Sequence, residues 1–197
     1  MAALYMYKQL HSEIKLLGNF FILSTAVELF ILVTSEKGIP NIWLFNVFGL
    51  IEGIVLFYIC GKWSGTQRAF YTIIFLFLLY VVYWIYNFYL SPDISQFNDK
   101  GNSLKGILLI IISGFVFIRI TKDNDMINKD YRFWILSAIL IYFGVGTIIF
   151  ATANYILDNT EKAMTASWNI HSIVNVISNV LYAYGFRCYY QYQNLPV

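Results

Sequence analysis

Long apolar stretches separated by short polar segments make up most of this chain. Six of the stretches are long enough to cross a hydrocarbon core, which takes about 17–25 helical residues. The apolar runs are continuous and do not alternate with polar residues, which favours helices over the strands of a barrel. The pattern predicts an all-α, polytopic membrane bundle of six transmembrane helices, at residues 16–34, 41–60, 69–90, 104–120, 133–156 and 168–189.

The polar segments between these stretches are too short to hold a folded domain. They cover residues 35–40, 61–68, 91–103, 121–132 and 157–167. The first long apolar run has the length of a full span, and no short apolar core with a small-residue cleavage site precedes it, so we expect no cleavable signal peptide. The predicted organisation is a cytoplasmic or interfacial lead-in at 1–15, a single transmembrane domain at 16–189 and a short cytoplasmic tail at 190–197.

Lysine and arginine are distributed unequally between the two sides of the predicted bundle. With six spans, the N-terminus, the second and fourth connections and the C-terminus share one side, which carries nine of the 13 basic residues. Short cytoplasmic loops are enriched in Lys and Arg. The bias therefore predicts cytoplasmic termini and a location in the inner (cytoplasmic) membrane; the other side holds only Lys37, Lys100, Lys105 and Lys162.

Composition excludes several classes of soluble protein. The chain is 59% hydrophobic, 19% aromatic and only 12% charged, with a mean hydropathy of +0.62. An ordinary soluble domain is about 45–50% apolar and about 25% charged. These values exclude a soluble enzyme and a disordered regulator. The basic residues are scattered rather than clustered, so no nucleic-acid partner is expected. The expected partner is the lipid bilayer.

Two carboxylates fall inside predicted spans, Glu28 in the first and Glu52 in the second. An ionisable side chain at the bilayer centre costs about 2.5–3.5 kcal/mol on insertion scales and usually faces the bundle interior. From the helical rise, Glu28 lies about 12 Å and Glu52 about 16 Å below the outer face of the core. No cation is expected at that depth, so we predict that both are neutral and hydrogen-bonded to Asn175, Asn179 or Tyr142.

The sixth span carries a polar stripe, in which polar and aromatic residues recur at steps of three and four and therefore share one helix face. We predict an outward-opening polar pocket near the midplane, lined by Glu28, Glu52, Tyr142, His171, Asn175 and Asn179. Its predicted rim consists of Asn46, Tyr83, Asn87, Asn154 and Trp168. Alternatively, the two asparagines of the stripe hydrogen-bond between helices and serve packing alone. The fourth span has almost no polar content and is expected to face lipid.

A metal site is not predicted. Glu28, Glu52 and His171 are residue types that suit zinc or iron, but His171 and Glu52 differ by about 11 Å in depth. Metal-ligand bonds of about 2 Å require closer convergence. We therefore expect no metal and no cofactor.

Three segments resemble a functionally uncharacterised family of small multi-pass membrane proteins of Bacteroidota. They are residues 41–52, residues 133–143, and the unusual string Trp168-x-x-His171-x-x-x-Asn175-x-x-x-Asn179. The resemblance covers most of the chain after Leu16. It implies a bundle of six or seven spans, because members often carry one further N-terminal span, and it implies no particular activity.

Three functions fit a pocket of this kind. The first is a sensor or accessory subunit that binds a small ligand or a cation and signals to a membrane partner protein or to a second copy of the chain. The second is a small proton- or cation-coupled transporter. The predicted spans are not broken by an internal proline, which argues against this function. The third is an intramembrane lipid-modifying enzyme with His171 and a glutamate as acid and base. No nucleophile–base pair is evident, so the sequence favours a role other than catalysis.

Overall fold

The computed structural model describes residues 10–90, 98–122, 126–159 and 161–192. These residues contain no strand, so the all-α prediction is confirmed. They form a short 3-10 helix, Ile127–Lys129, and six α-helices: α1 (Ser12–Glu36), α2 (Ile42–Trp63), α3 (Gln67–Leu90), α4 (Asp99–Lys122), α5 (Tyr131–Asn159) and α6 (Glu161–Tyr192).

The helices extend beyond the predicted apolar stretches, by seven residues at the start of α6 and by five at the start of α4. This helix begins at Asp99, five residues before the predicted start at residue 104. The side-chain Oδ1 of Asn98 accepts a hydrogen bond from the Gly101 backbone N at 2.9 Å. This is the bonding of a helix N-cap, which satisfies one of the free backbone donors of the first turn. Local capping thus carries the helix into the polar segment that hydropathy assigned to a connection.

Five helices in the described part of the chain are long and apolar enough to cross a membrane, and the protein is therefore an integral membrane protein by length and composition. They are α1, α2, residues Gln67–Asn87 of α3, α4, and residues Tyr131–Ile149 of α5. Helix α6 is not among them, because its polar stripe lowers its hydrophobicity. A sixth span and the sidedness of the termini stay predictions.

Helix α4 lies inside the bundle, so the prediction that the fourth span faces lipid is wrong for one of its sides. It packs extensively against α5, which in turn packs against α6, and it also contacts α2 and α3. One face of α4 is buried from end to end, while Ile107, Ile111 and Phe115 on the other are exposed. The buried face consists of Gly101, Asn102, Lys105, Gly106, Leu109, Ile112, Ser113, Val116 and Ile120.

Helix α1 is held to α6 at the end where it begins, which we call the terminal end because α6 finishes there too. Its other end is bonded to the start of α2, where Asn41 Nδ2 donates to the Ile31 carbonyl at 3.1 Å and to Thr34 Oγ1 at 3.0 Å. The His11 backbone N donates a hydrogen bond to the Tyr189 hydroxyl at 2.8 Å, and the two rings meet edge-on at 5.4 Å. Ile14 and Leu17 are fully buried. Further along, most of the large apolar residues of α1 are exposed.

Replacing Tyr189 with phenylalanine should weaken this attachment, since it leaves the His11 N–H without its acceptor. We expect a loss of about 0.5–1.5 kcal/mol in the free energy of unfolding, the usual net value of one hydrogen bond. The measurement is reversible unfolding in mixed micelles. Tyr190→Phe is the matched control, because that neighbouring side chain is 51% exposed, whereas Tyr189 is 2% exposed. Equal effects of the two substitutions would contradict the assignment.

Candidate functional site

One cavity of about 490 Å³ lies between α1, α2 and α6, with two residues of α4 and one of α5 in its wall. The predicted pocket residues come from four segments that are distant in the chain. All six of them line this cavity: Glu28 from α1, Glu52 from α2, Tyr142 from α5, and His171, Asn175 and Asn179 from α6. Trp168, predicted for the rim, lines it too.

The remaining predicted rim residues lie elsewhere, apart from Asn154, whose side chain is outside the described residues. Asn46 is buried against the start of α4, where its Oδ1 accepts a hydrogen bond from the Asn98 backbone N at 2.9 Å. Tyr83 and Asn87 lie on α3, which packs against α2 and α4. None of these three lines the cavity. Depth in the membrane does not determine which neighbour a helix face meets, and the rim prediction rested on depth alone.

The strongest interaction in the cavity wall is an ion pair that depth and hydropathy did not predict. Lys105 Nζ lies 2.6 Å from Glu52 Oε2, and it donates a second hydrogen bond to the Gly49 carbonyl at 3.0 Å. The side chains are 2% and 14% exposed. The expectation that Glu52 has no cationic partner is therefore wrong. The early start of α4 brings Lys105 into the bundle, where its long side chain reaches α2.

Small residues on α2 make room for this ammonium group. A Cβ atom on Gly49 would lie 2.7 Å from Asn102 Oδ1 and 3.2 Å from Lys105 Nζ, which is closer than packing allows. On the other side, Nζ lies 5.7 Å from the centre of the Phe143 ring. A cation over an aromatic face is attracted by the ring electrons. Lys105 is thus enclosed by a carboxylate, a carbonyl and a ring.

Polar contacts continue from the ion pair along α4. Asn102, which is buried, donates through Nδ2 to the Asn98 carbonyl at 2.9 Å, and the Asn98 backbone N bonds Asn46 on α2. Asn98, Asn102 and Lys105 recur at steps of four and three, the same spacing that identified the stripe on α6. Polar residues at steps of three and four therefore indicate this polar face in the sequence too, although it begins in the predicted connection at 91–103.

The wall formed by α6 combines amide groups with aromatic rings. Asn179 Nδ2 donates to Asn175 Oδ1 at 3.2 Å, a hydrogen bond within α6 rather than between helices. The His171 ring lies between Trp168 and Tyr142, with centroid distances of 5.8 and 5.6 Å. The wall therefore offers amide, imidazole and phenol groups on one side of the cavity.

Aromatic rings close the cavity toward the terminal end. The Phe21 ring lies edge-on to the Tyr182 ring at 4.8 Å and to the Phe186 ring at 6.2 Å. Phe20 stacks on Phe48 with centroids 5.5 Å apart. Glu28 on α1 and His171 and Asn175 on α6 lie farther from the terminal end than Phe21 and Tyr182, so these rings form an aromatic floor beneath the polar groups of the two helices.

Glu28 is the second carboxylate of the cavity, and its environment differs from that of Glu52. It is exposed, and no hydrogen bond or ion pair joins it to another residue that the structure describes. Glu28 and Glu52 both interact electrostatically with Tyr142. Two carboxylates and one ammonium group give the cavity a formal excess of one negative charge. Within the described ranges, no three His, Cys, Asp or Glu residues lie close enough together to hold a metal ion.

Comparison with known proteins adds no family to this geometry. No protein-family model, no curated protein and no solved structure matches the chain. The resemblance to the Bacteroidota membrane family therefore stays a prediction, and the function is argued from the site itself.

Proposed function

We propose that this chain is a six-span protein of the inner (cytoplasmic) membrane with both termini in the cytoplasm, and that it acts as a sensor or accessory subunit. A small polar ligand or a cation enters the cavity and shifts α1 relative to α6, and a membrane partner protein detects the shift. The observation that carries this proposal is the convergence of charged and amide side chains from α1, α2, α4 and α6 on one cavity.

The uneven attachment of α1 supports a movement of this kind. Along the bundle α1 packs on α2, and its ring contacts with α6 lie at the terminal end. Glu28 lies beyond these ring contacts with α6 and faces the same cavity as Asn175 and Asn179. A ligand that contacts both helices has a higher affinity for one position of α1 than for another. Because of this difference in affinity, binding shifts the equilibrium between the two positions.

The proposal is tested with spin labels on purified full-length protein. Glu36→Cys at the end of α1 and Ala166→Cys near the start of α6 are both exposed positions, whereas the native Cys60 and Cys188 are buried. We expect ethylammonium, used as a small cationic probe, to change the distance between the labels by about 1–2 Å or more. Sodium chloride at equal ionic strength should produce no change.

Glu28→Gln should abolish the response, because it removes the charge that the probe binds. Glu13→Gln is the matched control, since Glu13 lies on the same helix but does not line the cavity. The sensor proposal fails if the label distance does not respond to the probe, or if it responds equally in both variants.

The ion pair in the cavity wall favours a second candidate, a proton- or cation-coupled transporter, because an incoming cation can displace Lys105 from Glu52. Uptake into proteoliposomes that Glu52→Gln abolishes would support this function. The sensor is preferred because α1, α2 and α6 are continuous through the cavity, whereas transporter sites are typically built from interrupted helices.

A further inference from the structure

We propose that the cavity is entered from the bilayer, between α1 and α6, and that its ligand is a lipid-like amphiphile whose head carries an amine cation held by Glu28. This inference rests on the proposed function and names the ligand class for the same site. It combines two independent features, an opening between two helices and a carboxyl group, that of Glu28, with no ion-pair partner among the described residues.

The opening is visible in residues that line the cavity and are exposed at the same time. On α1 these are Thr25 and Glu28, and on α6 they include Asn179 and Ala183. A cavity whose lining is exposed on two adjacent helices opens between them. At the terminal end the same helices are closed by the contact of Phe21 with Tyr182. The opening is therefore a lateral gap that starts above the aromatic floor.

Apolar surface flanks the gap on both helices. Leu29 and Leu32 on α1 and Ile173, Val176 and Val180 on α6 are all exposed. In a membrane such surfaces contact acyl chains. A ligand that reaches the gap therefore comes from the hydrocarbon region, and a chain attached to its head group can remain in contact with these side chains.

Charge selects the head group. The carboxylate of Glu52 is matched by Lys105, whereas Glu28 has no matching cation among the described residues. A carboxylate exposed toward lipid in the middle of a span is costly without a partner. An ammonium group would neutralise it and could donate further hydrogen bonds to the oxygen atoms of Asn175 and Asn179. An anionic head would instead meet two carboxylates.

Apolar lining residues around the head-group position suit an alkyl chain. Val27 and Ile31 of α1 and Phe45 and Phe48 of α2 contribute apolar side chains to the same cavity. Its volume of about 490 Å³ is that of an ordinary small-molecule site. It accommodates a head group with the first part of a chain, and the rest extends through the gap.

Four probes separate the contributions of head and chain: ethylammonium, dodecylammonium, dodecanol and dodecyl phosphate. Binding to the purified full-length chain in detergent is measured from the rise in unfolding temperature with probe concentration. We expect dodecylammonium to bind at least about tenfold more tightly than ethylammonium, because its chain removes apolar surface from water. It should also bind at least about tenfold more tightly than dodecanol or dodecyl phosphate, and Glu28→Gln should remove that advantage.

A long alkyl chain partitions into the micelle, which also makes dodecylammonium appear to bind more tightly than ethylammonium. A substitution in the gap is therefore needed to separate binding at the site from partition. Thr25→Trp places a large ring in the opening and is expected to weaken dodecylammonium at least about tenfold more than it weakens ethylammonium. Ile22→Trp is the matched control, because Ile22 is 72% exposed on the same helix and does not line the cavity. Ala183→Trp repeats the test from the α6 side if the first variant does not fold.

The outcomes distinguish this inference from the proposed function. Equal binding of the two amines, equal binding of dodecylammonium and dodecyl phosphate, or dodecylammonium binding that the gap variants leave intact would each overturn the amphiphile. Ethylammonium binding that depends on Glu28 would still support the sensor in those cases. A dimer that Glu28→Gln dissociates would assign the gap to a second copy of the chain and would also overturn the inference.

Discussion

Replacing Lys105 with methionine is expected to destabilise the protein by about 3–5 kcal/mol, the usual cost of removing one partner from a buried ion pair. Methionine keeps the length and most of the volume of the side chain but leaves the Glu52 carboxylate and the Gly49 carbonyl without their common donor. The free energy of unfolding in mixed micelles measures the loss.

Two comparisons identify the ion pair as the cause. Lys100→Met removes a lysine from an exposed position on the same helix and should change stability by no more than about 0.5 kcal/mol. Adding Glu52→Gln to Lys105→Met should restore much of the lost stability, because replacing both partners of a buried pair is often close to neutral. If the two substitutions are additive, with a coupling energy below about 0.5 kcal/mol, the pair does not stabilise the protein.

Gly49→Ala is expected to destabilise the protein by about 1–3 kcal/mol through overpacking. The new methyl group would lie 2.7 Å from Asn102 Oδ1 and 3.2 Å from Lys105 Nζ. Asn102 has little freedom to withdraw, because it is buried and its Nδ2 is bonded to the Asn98 carbonyl. Alanine is otherwise the better helix former, by about 1 kcal/mol, so a loss of stability indicates the contact and not the backbone.

The neighbouring glycine of α2 supplies the control. A Cβ atom on Gly53 would meet its nearest neighbours at 3.5 Å, an ordinary contact distance. Gly53→Ala should therefore be neutral, or stabilising by up to about 1 kcal/mol. Equal effects at the two positions would show that α2 and α4 do not approach each other as closely as described. In a Lys105→Met background, Gly49→Ala should cost less, because one of the two crowded groups is absent.

Hydropathy predicted the five apolar helices α1 to α5, because burial in lipid requires a continuous apolar run whatever the neighbouring helices are. The cavity-facing side of α6 was also predictable, since the spacing of His171, Asn175 and Asn179 places them on one face. The ion pair was not, because Lys105 lies at the edge of an apolar run and was counted with the residues that set membrane orientation. A long side chain at a span boundary can turn inward when the facing helix carries glycine and a carboxylate.

The direction in which each helix faces was the least predictable property. Asn46, Tyr83 and Asn87 have suitable depths for a rim, but none of them lines the cavity. Asn46 accepts a hydrogen bond from the Asn98 backbone N at the start of α4, and Tyr83 and Asn87 lie on α3, which packs against α2 and α4. Depth follows from counting residues along one helix, whereas direction depends on contacts between helices. Those contacts leave no simple pattern in a single sequence.

The separation of Lys105 from Glu52 along the chain has a consequence for biosynthesis. The two residues are 53 positions apart, and a ribosome adds about 5–20 residues per second. Glu52 is therefore added to the chain about 3–10 s before the lysine that pairs with its carboxylate. During that interval Glu52 lacks its cationic partner, so the ion pair can form only after α4 has been inserted beside α2.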